Sequence, residues 1–414
     1  MSKIFKNFEA DTGKILNIVI NSLYSDREIF LRELLSNASD AIQKRKYLGL
    51  TKPSLLNPSG DSIILRFDTK KKILEIQDSG IGLDDAELAE TLGTLAKSGT
   101  ASFLDQLEKA KDDNSAANNL IGKFGVGFYS AFMVADNVEV LTRKAGTEDV
   151  FLWTSDGQTG YEISPSDETL ETGTLVRLHL KKDAKDYADA DKVKVITKKY
   201  SDHISVGILI EDKKGQQEQV NSAEALWTRS SKDIMEEEYK GFYQSQFGAY
   251  DDPFITLHNR SEGTLEFTNL LFLPSNAPFD LFDPERKSKL NLYINRVFIT
   301  NDLDAILPKW LRFVQGVLDT SSLDLNVSRE LVQSSPVLGK IKKAITKRVI
   351  SELKKAMKKD TKAYDAFWEQ FGKVLKEGLY EDIENREKVA DITRVFSSQA
   401  DANITLQDYV NAFT

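Results

Sequence analysis

The twelve residues from Glu33 to Lys44 limit the possible folds more than any other stretch. Glu33-Leu-Leu-Ser-Asn37-Ala-Ser-Asp40-Ala-Ile-Gln-Lys44 predicts a helix with two lengthwise stripes. Leu31, Leu34, Leu35, Ala38, Ala41 and Ile42 recur at three- and four-residue steps, the spacing of one buried helical face. Glu33, Asn37, Asp40 and Lys44 recur at the same steps, so they stand one above another as a second stripe. A stripe that merely faces water needs no such order. Three glycine-rich turns follow: Asp78-Ser-Gly80-Ile-Gly82, Gly122-Lys-Phe-Gly125-Val-Gly127-Phe128 and Gly173-Thr174. Together they point to a nucleotide held between the helix and the turns.

At 414 residues the chain exceeds what one core supports, which predicts two or more domains. A net charge of -9 argues against a general nucleic-acid binder, because phosphate contacts need clustered Lys and Arg. The basic run from Lys340 to Lys359 alternates with apolar residues and reads as a solvated helix face. With no cysteine there is no disulfide scaffold, cysteine metal site or thiol catalysis. The histidines His179, His203 and His258 lie far apart, without metal-ligand spacing. No apolar run is long enough to span a bilayer, and the expectation is a soluble, cytoplasmic protein without a membrane partner.

Along the chain, an apolar start (residues 1–26) leads into the central helix, predicted from Asp26 as N-cap to Leu48, with Gly49 as C-cap. Ile63–Phe67 and Ile73–Gln77 predict a hairpin, and Asp84–Leu92 a helix. Residues 93–119 are polar, small and weakly patterned, with a helical island near Phe103–Lys111. Phe128–Ala135 reads as helix, and Val138–Thr142, Val150–Thr154 and Thr174–Leu180 as strands. This gives an α+β first domain over 1–211, with a polar linker at 212–222. The second domain, 223–414, is α/β to about residue 335 and helical from 336 on. Its strands fall at Phe254–His258, Thr264–Leu273 and Leu290–Ile299, and its helices at Pro308–Val317, Leu338–Lys358, Ala363–Lys376 and Glu384–Phe396.

The residue types suit a particular chemistry. Mg²⁺ keeps several waters and the substrate phosphates, so one protein oxygen suffices, and the Asn37 amide offers it. Glu33, one turn earlier, is the natural base for a water attacking a γ-phosphate, and Asp40 and Lys44 can pair behind it. Asp78, when ionised, only accepts, which suits the amine of adenine, while Gly80 and Gly82 let backbone approach a flat base. A simple turn would use the same residues. Gly122 to Phe128 runs into the next helix, whose free N–H groups can meet phosphate. It fits neither the P-loop nor the dinucleotide fingerprint, since Ser130 stands where the latter needs a final glycine.

These four motifs, in this order, resemble the Bergerat ATP-binding fold of gyrase B, histidine kinases, the mismatch-repair protein MutL and the ninety-kilodalton heat-shock chaperones. Leu31-Arg-Glu-Leu-Leu-Ser-Asn-Ala-Ser-Asp-Ala-Ile42, Leu92-Gly-Thr-Leu-Ala-Lys-Ser-Gly-Thr100 and Ile121-Gly-Lys-Phe-Gly-Val-Gly-Phe-Tyr-Ser-Ala-Phe132 are similar to the chaperone branch almost residue for residue. So are Pro278-Phe-Asp-Leu-Phe282 and Ser322-Leu-Asp-Leu-Asn-Val-Ser-Arg-Glu-Leu331 to its middle domain. The short linker resembles the bacterial form. The resemblance implies a Bergerat-type α/β sandwich followed by an α/β middle domain with a helical tail. It implies ATP and Mg²⁺ as ligands, hydrolysis of ATP, client proteins as partners and a place for co-chaperones. It makes Glu33 the catalytic base, Asn37 the Mg²⁺ ligand and Asp78 the adenine reader, helped by Gly82 and Thr174. Gly122, Gly125, Val126, Gly127 and Phe128 would meet the phosphates, under a lid at about 93–125 that brings Lys97 near them. Arg329, with Gln333 beside it, would reach the γ-phosphate from the second domain, although a surface salt bridge with Glu330 is the plainer use of that arginine. The resemblance further implies a homodimer for the full-length protein. This chain stops at Phe413-Thr414, short of a dimerisation domain, so it reads as a fragment whose oligomeric state stays open.

Two other functions fit less well. A DNA-handling ATPase of the gyrase or MutL type would carry a switch lysine and a basic face in its second domain, against the acidic balance here. A nucleotide-sensing module without turnover would bind ATP and make no use of Glu33.

Overall fold

The structure, a computed structural model, describes residues 26–94, 98–103, 120, 125–261, 265–283, 286, 288–301, 306–323 and 336–412. The expectations for residues 1–25, Lys97, Gly122, Arg329 and Gln333 lie outside the described residues. The main division of the chain falls between Ala225 and Leu226.

In the first unit, helix α1 (Ile29–Thr51) precedes the hairpin of β1 (Ser62–Asp68) and β2 (Ile73–Asp78). Alternate residues Ile63, Leu65, Leu74 and Ile76 point to the core, as a half-buried sheet requires. Helix α2 (Asp85–Leu92) starts at a reciprocal cap in which Asp84 accepts from the Glu87 N–H and Glu87 accepts from that of Asp84. There follow β3 (Ala135–Arg143), β4 (Val150–Ser155), β5 (Tyr161–Pro165), β6 (Gly173–Leu180), α3 (Ala190–Ser201), β7 (Gly207–Glu211) and β8 (Gln217–Gln219). All eight strands form one sheet in the order β5-β4-β3-β6-β2-β1-β7-β8, antiparallel apart from the β1–β7 pair. Leu31, Leu34, Leu35 and Ile42 of α1 share a core with Ile76, Val138, Val193 and Ile208. Polar partners line up across three neighbouring strands, Arg177 pairing with Glu75 and Glu139 at 2.7 Å each. This is the expected α+β sandwich.

After residue 225 come α4 (Glu236–Phe247), β9 (Pro253–Ser261), β10 (Phe267–Pro274), β11 (Lys289–Ile294), β12 (Val297–Thr300) and β13 (Gln315–Thr320). The five strands order as β12-β11-β13-β10-β9, with β11 and β13 parallel. Helices α5 (Pro336–Lys359), α6 (Thr361–Glu381) and α7 (Arg386–Asp391) follow, then the hairpin of β14 (Arg394–Ser397) and β15 (Ala402–Thr405) and a last helix, α8 (Leu406–Asn411). Trp310, Phe313, Leu318, Ile341, Phe367 and Phe371 join helices and sheet in one core. No described helix is long and apolar enough to cross a membrane.

Several expectations need correction. Residues 128–135 are no α-helix: Gly127–Met133 is a tight three-residue-per-turn coil with every side chain from Phe128 on buried, leaving no face for water, and β3 begins at Ala135. The helix expected over 308–317 is a single turn, Lys309–Leu311, before β13; an all-buried strand shows no alternation and cannot be told from helix by periodicity. Leu290–Ile299 is two strands, because Asn295 and Arg296 both take positive φ (49° and 68°), the turn that matches strand twist. Glu384–Phe396 splits into α7 and β14, with Arg394 bound to Asp365 at 2.8 Å. Within the stretch read as a linker, 212–222, the chain turns back as edge strand β8, and the buried Asn221 amide bonds the backbone of Ile208 (2.8 Å) and Val206 (3.0 Å). Helix α1 also runs past Gly49, to Thr51.

Candidate active site

Helix α1 is buried on nearly all sides, its polar side chains included: Glu33 is 2% exposed and Asp40 4%. Its second stripe therefore faces a cavity of about 330 Å³ between α1 and the sheet, within the range of small-molecule sites. Glu33, Asn37, Asp40, Lys44, Asp78, Gly82, Gly125, Val126, Gly127, Phe128 and Thr174 all line it, while Gly80, expected beside a flat base, does not. None of the three histidines does.

At one end stands Asp78, the last residue of β2. Its Oδ1 accepts from the Gly80 N–H at 2.8 Å. Burial pushes its carboxyl up to about 7, against the opposing pull of the Gly80 and Thr174 N–H groups and the Arg45 charge. Sheet register sets Asp78 beside Thr174 and Thr174 beside Thr142, one polar row across β2, β6 and β3. Beyond Asp78 the backbone must pass under Arg143. Gly82 takes φ +67°, and any side chain there would strike the Arg143 carbonyl.

At the other end stands Glu33. Arg32 holds its Oε1 through Nε (3.0 Å) and a terminal nitrogen (2.8 Å), both groups buried. Gly127 rests against Glu33 so closely that a Cβ would collide with Oε2. The base candidate and the phosphate-loop candidate are thus packed together. Gly127→Ala is expected to leave a folded chain in which loop or carboxylate is displaced to relieve the clash, slowing any nucleotide hydrolysis at the site at least about tenfold. Single-turnover phosphate release, with circular dichroism as the control for folding, measures this.

Asp40 and Lys44 do not pair as expected. Asp40 Oδ2 accepts from Thr100 Oγ1 at 3.2 Å, and the Lys44 ammonium lies 5.4 Å from the centre of the Phe103 ring. Burial lowers the Lys44 pKa, partly opposed by the charge of Glu87. Residues 98–103 line the cavity through Ser98, Gly99, Thr100, Ser102 and Phe103. Sequence reasoning missed Arg32, because adjacent helix residues point apart and no spacing links them to a site. It missed Thr142 too, though a threonine following Val138 and Val140 on the inward face of β3 was a readable signal.

The residues fit a nucleotide with a divalent cation. The Asn37 side chain lines the cavity and makes no hydrogen bond to a described residue, so its oxygen is uncommitted. No cluster of three His, Cys, Asp or Glu among the described residues could hold a metal ion, so a cation here would depend on phosphate oxygens beside the amide.

Fold and cavity define an ATP-binding domain of the kind shared by several otherwise unrelated ATPases. Residues 24–172 match the family model described as histidine kinase-, DNA gyrase B- and HSP90-like ATPase. Residues 209–414 match the model described as Hsp90 protein. Proteins named Chaperone protein HtpG are 49% identical to the chain over 406 residues in Roseobacter denitrificans and 48% over 411 in Rhodospirillum rubrum. Another, from Rickettsia rickettsii, is 49% identical over 412 residues. The chain belongs to the Hsp90 family. These alignments cover 98% to 99% of it but only 64% to 66% of the relatives' length.

Proposed function

We propose that this chain binds Mg-ATP in the α1 cavity, hydrolyses it, and uses the cycle to fold or remodel client proteins in the cytoplasm. The convergence of Glu33, Asn37, Asp78, Thr174 and Gly125–Phe128 on one cavity carries the reading. The relatives' name, chaperone, supplies the client partner. Co-chaperones and a homodimer of the full-length protein belong to the same proposal. A DNA-handling role is not favoured, since the second half matches the Hsp90 model.

Asp78 and Thr174 take the adenine, and the N–H groups of Gly125 to Phe128 take the phosphates. Asn37 would hold Mg²⁺ by its amide oxygen. Bound there, the ion would neutralise phosphate charge beside the Glu33 and Asp40 carboxylates. Glu33 accepts a proton from the water whose oxygen bonds to the γ-phosphorus as the bond to the β-phosphate oxygen breaks, and ADP leaves with that electron pair. Arg32 fixes the carboxylate for this. Residues 93–125 act as the lid. Mg-ATP titrated into the chain should bind saturably and be released as ADP and phosphate; a chain that does neither overturns the reading.

Arg329 supplies the late charge. Arg329→Ala should slow single-turnover hydrolysis by about 10²-fold or more while ADP affinity stays unchanged, because the role proposed for it concerns the γ-phosphate, which ADP lacks. Gln333 assists it.

A further inference from the structure

We infer that Thr142, which does not line the cavity, sets the choice between a 6-amino and a 6-oxo purine by fixing the direction of the Thr174 hydroxyl proton. The inference rests on the adenine reading of the site. Thr142 is fully buried. Its Oγ1 lies 3.0 Å from the Leu83 amide nitrogen, 3.1 Å from the Gly173 carbonyl oxygen and 3.2 Å from Thr174 Oγ1. A hydroxyl has one proton to give and two lone pairs to receive with. The Leu83 N–H can only donate, so it takes one lone pair. The Gly173 carbonyl can only accept, so it takes the proton. One lone pair is left for Thr174, which must therefore donate. Were Thr142 to donate to Thr174 instead, two bare oxygens would face each other at Gly173.

With its proton turned inward to Thr142, Thr174 shows the cavity only lone pairs. Asp78, directly beside it across β2 and β6, also accepts when ionised. The wall at this end thus consists of acceptors. It suits an exocyclic amine and sets oxygen against oxygen for a 6-oxo base. Thr142 is a positioning residue: it never meets the nucleotide, yet it decides which polarity the nucleotide meets.

Calorimetric titration with ATP and with inosine triphosphate, which differ at the 6-position and share the triphosphate, tests this. The wild-type chain should prefer ATP by about 100-fold or more. Thr142→Val frees the Thr174 proton to turn outward, so the ATP-to-ITP affinity ratio should fall about tenfold. Thr142→Ser keeps the hydroxyl and should restore the ratio. Should the valine variant not fold, Thr174→Val must lower the ratio by a similar factor. General damage would weaken both nucleotides alike and leave the ratio unmoved. A ratio unchanged in the folded Thr142→Val chain, or in Thr174→Val, overturns the inference. A wild-type chain that binds neither nucleotide, or both equally, defeats the adenine reading itself.

Discussion

Asp78→Asn is expected to abolish ATP binding while making the chain more stable at alkaline pH. The amide puts a donor where the carboxylate offered an acceptor, so one of its orientations faces the adenine amine donor to donor. The other gives up the Gly80 contact. Either way affinity should fall by at least about 100-fold, about 3 kcal/mol. The stability change has the opposite sign. Burial holds the Asp78 carboxyl at about 7 against 3.8 when unfolded, so between those values the folded chain keeps a proton that the unfolded chain has lost. Stability from this group is complete below pH 3.8 and declines as pH rises to about 7. Asparagine carries no charge to bury. At pH 8 the variant should therefore gain up to about 4 kcal/mol, with the difference vanishing at pH 4 and below. Urea melts at the two pH values, beside an ATP titration, read both effects. Normal ATP affinity would refute the role of Asp78.

Removing the base should separate binding from turnover. Glu33→Gln keeps a neutral oxygen toward Arg32 but cannot take up the water's proton, so hydrolysis should fall about 10²- to 10⁴-fold with ATP affinity within a few fold of wild type. Glu33→Ala should lose hydrolysis as well. It also removes the buried carboxylate that Arg32 meets at 2.8 Å, so it should be less stable than the glutamine variant. Single-turnover phosphate release and thermal melts of both variants check this. A glutamine variant with wild-type turnover would reject Glu33 as the base.

The site was more legible in the sequence than the elements carrying it. Glu33 and Asn37 could be listed because a helix repeats at three and four residues, Gly125 because glycine declares tight backbone and Asp78 because a carboxylate only accepts, whereas Thr174 took its role from the family resemblance. What Gly127 makes room for could not be read, since the Glu33 carboxylate lies 94 positions away in the chain and no local pattern ties the two. The same holds for the row of Thr142, Thr174 and Asp78, which exists only once β3, β6 and β2 are in register. The fold was misread where every residue is buried. Gln315–Thr320 and Phe128–Met133 are buried throughout and have no exposed face, and pattern reading depends on one. At 212–222, read as a polar linker, composition gave no sign of the edge strand and the buried asparagine that hold the segment in place.

The one parallel pairing among the described strands of the first sheet, β1 with β7, has a consequence for synthesis on the ribosome. Every described residue that lines the cavity is translated by Val176, yet Ile208 reaches the shared core, and β7 its place beside β1, only some thirty residues later. A nascent chain halted between those points would already carry every described residue that lines the pocket while a flank of its hydrophobic interior lay open to water. Competence to hold nucleotide should therefore arrive late and at once, with the last strands rather than with the residues that touch the ligand.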